Sequence, residues 1–124
     1  MNLIIGGAYQ GKLDYAKKAY NLKDDDVFVC KDAYIDFNKP CIMSLEKFAY
    51  ACTQSGVSAV EFFKKNREQW LECVLICEDI FCGVVPLGAE QRAWRQETGL
   101  LCQYLSWEAE SVTRVFCGLP QKLK

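Results

Sequence analysis

The run Leu3-Ile4-Ile5, set directly against Gly6-Gly7-Ala8-Tyr9-Gln10-Gly11-Lys12-Leu13, narrows the possible folds more than any other feature of this chain. A short continuous apolar run is the pattern of a strand buried on both faces. Beyond the glycines, Leu13, Ala16, Ala19 and Tyr20 recur at helical spacing while Asp14, Lys17 and Lys18 occupy other faces, so the strand passes through a glycine-rich turn into a helix. At a helix N-terminus the unpaired N–H groups and the helix dipole favour an anion. In the full Gly-x-x-x-x-Gly-Lys-Ser/Thr pattern, the turn's amides cradle phosphates, the lysine reaches the outer ones and the hydroxyl ligates Mg²⁺. Here Leu13 occupies the hydroxyl position. Gly6, Gly7, Ala8, Tyr9, Gln10, Gly11, Lys12 and Leu13 thus read as a nucleotide-binding loop that has lost a metal ligand. The competing reading is a tight turn that needs glycine only for its backbone angles.

The 124 residues are enough for one globular domain, and we expect a single domain over 1–124. Fifteen basic residues stand against sixteen acidic ones, so no global charge favours nucleic acid or an anionic membrane, and any anion site must be local. Three apolar residues before the glycines are too few for a signal sequence, and no stretch reaches membrane-spanning length; the expected location is the cytoplasm. Eight cysteines without a Cys-x-x-Cys pair, and no histidine, argue against a zinc site. Cys30, Cys73, Cys77 and Cys117 fall in apolar strand-like runs and are expected as buried reduced thiols. Cys82, beside a glycine, is the candidate reactive cysteine.

Along the chain the apolar period alternates between strand and helix. Val27-Phe28-Val29-Cys30 follows an acidic turn as a second strand, and residues 31–43 read as irregular. Ser44 reads as an N-cap for a helix with Leu45, Phe48, Ala49 and Cys52 on one stripe, ended by Gly56; Ser58 opens another helix running to about Gln69. Cys73 to Cys77 is a third strand. A long helix over Ala89–Ala109, with Ala93, Trp94, Leu100, Leu101, Tyr104 and Leu105 as its buried face, precedes a fourth strand over Val112–Cys117. Alternating elements of this kind imply an α/β fold, with a mostly parallel sheet and helices on both faces.

The third strand ends in Glu78-Asp79, at the carboxyl end where ligands collect in open parallel sheets. An apolar strand ending in carboxylates resembles the Walker-B element, which holds Mg²⁺ or orients an attacking group. The alternative is an ordinary acidic turn. Arg92 and Arg95, one turn apart on the next helix, are candidate phosphate ligands or simply a solvated face.

The loop Gly6–Lys12, the run Val74 to Pro86, the spaced Arg92, Arg95, Gly99 and Gln103, and the ending Val115 to Lys124 together resemble the CobU family of bifunctional adenosylcobinamide kinase/adenosylcobinamide-phosphate guanylyltransferases. The family's Asn-Glu-Val-Gly-x-Gly-x-Val-Pro stretch aligns with Cys77 to Pro86, putting Glu78 on its glutamate and Gly83 on its second glycine. The resemblance implies a RecA-like P-loop NTPase fold, ATP or GTP on the loop with Mg²⁺, a corrinoid as phosphoryl acceptor, and a homo-oligomer, trimeric in the family. It implies catalytic roles for Lys12 and Glu78, with metal on Glu78 and Asp79. Three departures stand against full inheritance. Leu13 replaces the family's serine, the histidine that carries the covalent nucleotide has no counterpart, and residues 24–70 match neither the nucleophile helix nor the central acidic strand. The guanylyltransferase half-reaction is therefore expected to be lost. Two functional classes and one non-functional reading follow: a reduced cobinamide-kinase-type phosphotransferase, a non-catalytic nucleotide or corrinoid sensor or oligomeric partner of a complete enzyme, and a P-loop scaffold that binds no nucleotide.

Overall fold

The computed structural model describes residues 1–81 and 88–124. Cys82, Gly83 and Pro86 lie outside the described residues. The strands are β1 (Asn2–Gly6), β2 (Val27–Val29), β3 (Cys41–Met43), β4 (Val74–Glu78), β5 (Ser111–Phe116) and β6 (Leu119–Lys122). They form one sheet in the order β2-β3-β4-β1-β5-β6. All neighbours are parallel except β5 and β6, which form an antiparallel hairpin. The helices are α1 (Lys12–Tyr20), α2 (Leu45–Ser55), α3 (Ala59–Lys65), α4 (Arg67–Trp70) and α5 (Ala89–Glu108). This is the α/β, RecA-like P-loop NTPase fold.

Strand β1 sits between β4 and β5, with Leu3 opposite Leu75 and Val112, and Ile4 opposite Ile76. Alternate side chains enter two separate cores. Leu3, Leu75 and Val112 meet α2, α3 and α5 on one face, while Ile4, Ile76 and Val115 meet Ala16 of α1 on the other. The apolar runs are continuous because both faces of these strands are covered.

Two strands escaped the sequence reading. Residues 41–43, read as irregular, form β3, and the tail after Gly118 folds back as β6. The helix expected from Ser58 to Gln69 is broken at Asn66, where α3 ends and α4 begins. Ser58 caps α3 as expected, its hydroxyl accepting from the Glu61 N–H at 3.2 Å. Ser44 does not cap α2 through its side chain. It takes left-handed backbone angles (φ 64°), and its carbonyl accepts from the N–H groups of Lys47 and Phe48. Cys117, expected in a buried strand, is exposed at the β5–β6 turn with φ 51°.

The buried face of α5 is also rotated from expectation. Ala93 and Leu100 are exposed, and Thr98 takes their place with Leu101 and Leu105. Thr98 is fully buried, and its Oγ1 has no hydrogen-bond partner among the described residues. Thr98→Val keeps the shape and removes the stranded hydroxyl, so it should raise the unfolding free energy by about 1 kcal/mol, read as a higher urea midpoint at unchanged slope.

Candidate functional site

The loop 7–11 leaves the carboxyl end of β1 and enters α1 at the centre of the sheet. Gly11 is the N-cap of α1 with φ 91°, a backbone state that glycine adopts without strain, and no side chain caps this helix end. Tyr9 shares the left-handed region (φ 59°) and projects fully into solvent. Gly6 answers a different requirement: a Cβ there would lie 2.5 Å from the carbonyl oxygen of Val115 on β5. Gly6→Ala must push β1 and β5 apart. We expect it to cost about 1–3 kcal/mol, measured by chemical denaturation, while misplacing the start of the loop.

The loop is fixed from three sides. The Asp79 N–H donates to the Gly6 carbonyl at 2.7 Å, tying the end of β4 to the end of β1. On the other side, Gln10 holds the β5–β6 turn: its side-chain Oε1 accepts from the Cys117 N–H at 2.6 Å and its carbonyl from the Gly118 N–H at 2.9 Å. From within, the Lys12 ammonium donates to the Gly7 carbonyl at 2.7 Å, folding the long side chain along the loop's inner edge. The latch by Gln10 was not read from the sequence, because its partners lie 107 residues away and nothing local marks them.

In front of the loop is a cleft of about 420 Å³ whose walls include Gln10, Gly11, Lys12, Leu13, Asp14, Met43 and Glu78. Lys12 and Glu78 thus line the same cleft. Glu78 is opposite Gly6 in the register of β4 on β1, so its strand is the immediate neighbour of the loop strand. Its backbone N–H donates at 2.9 Å to Oε1 of Glu46, a carboxylate of α2 that is 95% buried by contrast with its surface-like sequence context.

The other candidates are placed differently. Asp79 uses Oδ1 to accept the Phe81 N–H at 3.0 Å, closing a turn at the strand end. Arg95 donates to the carbonyls of Ile80 (3.2 Å) and Phe81 (2.6 Å), and neither it nor Arg92 lines the cleft. Arg95 thus braces the segment after β4.

Mg²⁺ prefers oxygen ligands and commonly keeps several waters beside one or two carboxylates and the substrate phosphates. Where a hydroxyl would help, the cleft offers the apolar Leu13, and at the end of β3 it offers the thioether Met43. Among the described residues no group of three or more His, Cys, Asp and Glu side chains converges on one point. Side chains alone therefore make no Mg²⁺ cage among the described residues, and Glu78 is the carboxylate that the cleft offers beside Lys12.

Most of the described thiols are sealed. Burial pushes Cys30 and Cys41 up to about 12. Cys77 on β4 and Cys102 on α5 touch, Sγ to Sγ at 3.6 Å; this contact lowers the Cys102 thiol and, with burial, holds that of Cys77 well above its ordinary range.

Comparison with known proteins gives two partial sequence matches. A relative, the bifunctional adenosylcobalamin biosynthesis protein CobP of Pseudomonas aeruginosa, is 37% identical over 67 residues, covering 48% of this chain and 39% of the relative. The match therefore spans about two fifths of that protein's length. The family model for CobU, described as cobinamide kinase / cobinamide phosphate guanyltransferase, matches residues 42–123, which include most of β3 and all of β4, α5 and the hairpin; the loop Gly6–Lys12 precedes the matched stretch. With more than half of its length matched by that model, the chain belongs to the CobU family.

Proposed function

We propose that this chain is a single-domain nucleotide-binding protein of cobalamin biosynthesis that grips the phosphates of ATP or GTP with Gly6–Lys12 and transfers the γ-phosphoryl group to a cobinamide-type alcohol. The observation that carries the reading is the shared cleft of Lys12, the uncapped N-terminus of α1 and Glu78. Amides and an ammonium on one side and a carboxylate on the other fit a polyphosphate facing an acceptor hydroxyl. The hydroxyl oxygen attacks the γ-phosphorus, Glu78 takes its proton, and the bond to the bridging oxygen breaks to release the nucleoside diphosphate. Loop amides and Lys12 stabilise the charge that develops on the transferred group. Asp79 and Arg95 support this by holding the strand end, and Arg92 stands at the start of α5. We assign Mg²⁺ no step. The absence of histidine from the chain goes with loss of guanylyl transfer.

The test is a thermal titration with ATP and GTP, with and without Mg²⁺, paired with transfer of labelled γ-phosphate to cobinamide. Nucleotide binding with label on the corrinoid supports the reading. Binding without transfer turns it into the second reading, a nucleotide or corrinoid sensor or the oligomeric partner of a complete enzyme, which Leu13 at the hydroxyl position and the lack of histidine favour. No shift with either nucleotide overturns both. A homo-oligomer, trimeric by family analogy, and a cytoplasmic location belong to the same proposal.

A further inference from the structure

Cys77 and Cys102 differ from the other described thiols in touching each other. Cys30, Cys41, Cys52 and Cys73 are buried away from solvent, and Cys117 sits alone on an exposed turn. Between Cys77 and Cys102 the sulfurs are 3.6 Å apart, one on β4 and one on the helix packed across it. A disulfide needs about 2.05 Å, so the two sulfurs must close by roughly 1.5 Å. Access is one-sided. Cys77 is fully sealed, whereas Cys102 forms part of the wall of an open groove of about 720 Å³ beside Phe81, Gly99 and Trp107. A small oxidant entering that groove meets Cys102 first and finds Cys77 directly behind it. That is the arrangement of an attacking thiol and a resolving thiol.

We infer that Cys77 and Cys102 form a peroxide-responsive modification site that closes reversibly to a disulfide. Cys102 gives up its proton and its sulfur attacks a peroxide oxygen; the O–O bond breaks, leaving a sulfenic acid on Cys102 and, with the proton, one water. The Cys77 sulfur then attacks the sulfenic sulfur, forming the S–S bond and expelling a second water. Two thiols are oxidised and one peroxide is reduced. The bond would fasten α5 to β4 one residue before Glu78, whose N–H is held by Glu46, and two before Asp79, whose N–H holds the loop at Gly6. Oxidation therefore reaches the strand end that faces the candidate nucleotide loop. The inference stands on the sulfur geometry and holds whether or not a nucleotide binds there.

The experiment exposes the full reduced chain to hydrogen peroxide, blocks remaining thiols with an alkylating reagent, and maps peptides without reduction. The expected result is a Cys77–Cys102 cross-linked peptide as the main product, the loss of two titratable thiols, and recovery of both with dithiothreitol. Cys117→Ser should leave the cross-link intact and Cys102→Ser should abolish it. If Cys102→Ser does not fold, Cys77→Ala serves instead: Cys102 should then be trapped by dimedone as a sulfenic acid. A cross-link from Cys102 to Cys82 or Cys117, over-oxidised Cys102 beside a Cys77 still open to alkylation after unfolding, or no loss of thiols would overturn the inference.

Discussion

Replacing Lys12 with alanine should weaken ATP or GTP binding by between one and two orders of magnitude while leaving the unliganded protein nearly as stable as before. The size follows from the loss of hydrogen bonding between an ammonium and a phosphate, worth about 1.5–3 kcal/mol. The lack of effect without nucleotide follows from the only partner the described residues show for Lys12, the part-buried carbonyl of Gly7, which water can reach once the side chain is gone. Titration calorimetry on the two proteins gives the affinities, and thermal shift gives an independent check, since at 100 times Kd a ligand specific to the folded state adds about 2.7 kcal/mol. Equal affinities in wild type and Lys12→Ala would remove the phosphate role from the loop. With Leu13 in place of the hydroxyl and no side-chain metal cage among the described residues, omitting Mg²⁺ should change these affinities only slightly.

The parts of this site that were legible in the sequence are those in which one short segment carries the whole signal. β1, the loop and the start of α1 are contiguous, and each residue's role follows from its neighbours: an apolar run, glycines that relieve backbone strain, a helical stripe. β4 and its carboxylate end were legible for the same reason. What stayed hidden depends on distant partners or on too few residues. β3 is three residues long, too short for any period, and Met43 at its end therefore could not be placed against the loop. β6 is exposed at every position and contains Pro120, so it lacks the apolar alternation of a strand, and it is placed by pairing with β5 across a turn that the distant Gln10 latches. Glu46 lies in the first turn of α2, where acids are ordinary, and only the fold turns it inward to meet the Glu78 N–H. For Arg95 the sequence leaves a phosphate ligand and a solvated helix face open, and the carbonyls of Ile80 and Phe81 that it meets in the fold carry no local signal.

Trp70→Ala should be the most destabilising single change among the core residues, lowering the unfolding free energy by about 3–5 kcal/mol. Helical periodicity gave no reason to single out this residue, since it ends the single turn of α4. In the fold it is fully buried, with its ring 5.7 Å from Phe63 and 6.1 Å from Tyr104, and its indole N–H donates at 2.7 Å to the Phe63 carbonyl. Phe63 in turn packs against Phe37, Phe48 and Phe62, so the indole closes one end of an aromatic cluster that joins α2, α3 and α5. Truncation to alanine removes the transfer energy of a large ring, leaves a cavity that rigid neighbours cannot fill, and strands the carbonyl of Phe63. Since small domains hold only about 5–15 kcal/mol in total, the variant should unfold at a much lower urea concentration. Trp70→Phe separates the contributions: it keeps most of the packing and loses the hydrogen bond, so it should cost clearly less than the alanine variant. Equal losses for the two would mean that the N–H to the Phe63 carbonyl, rather than the ring's volume, holds α4 in place, and a loss under about 1 kcal/mol for Trp70→Ala would place the centre of this core elsewhere.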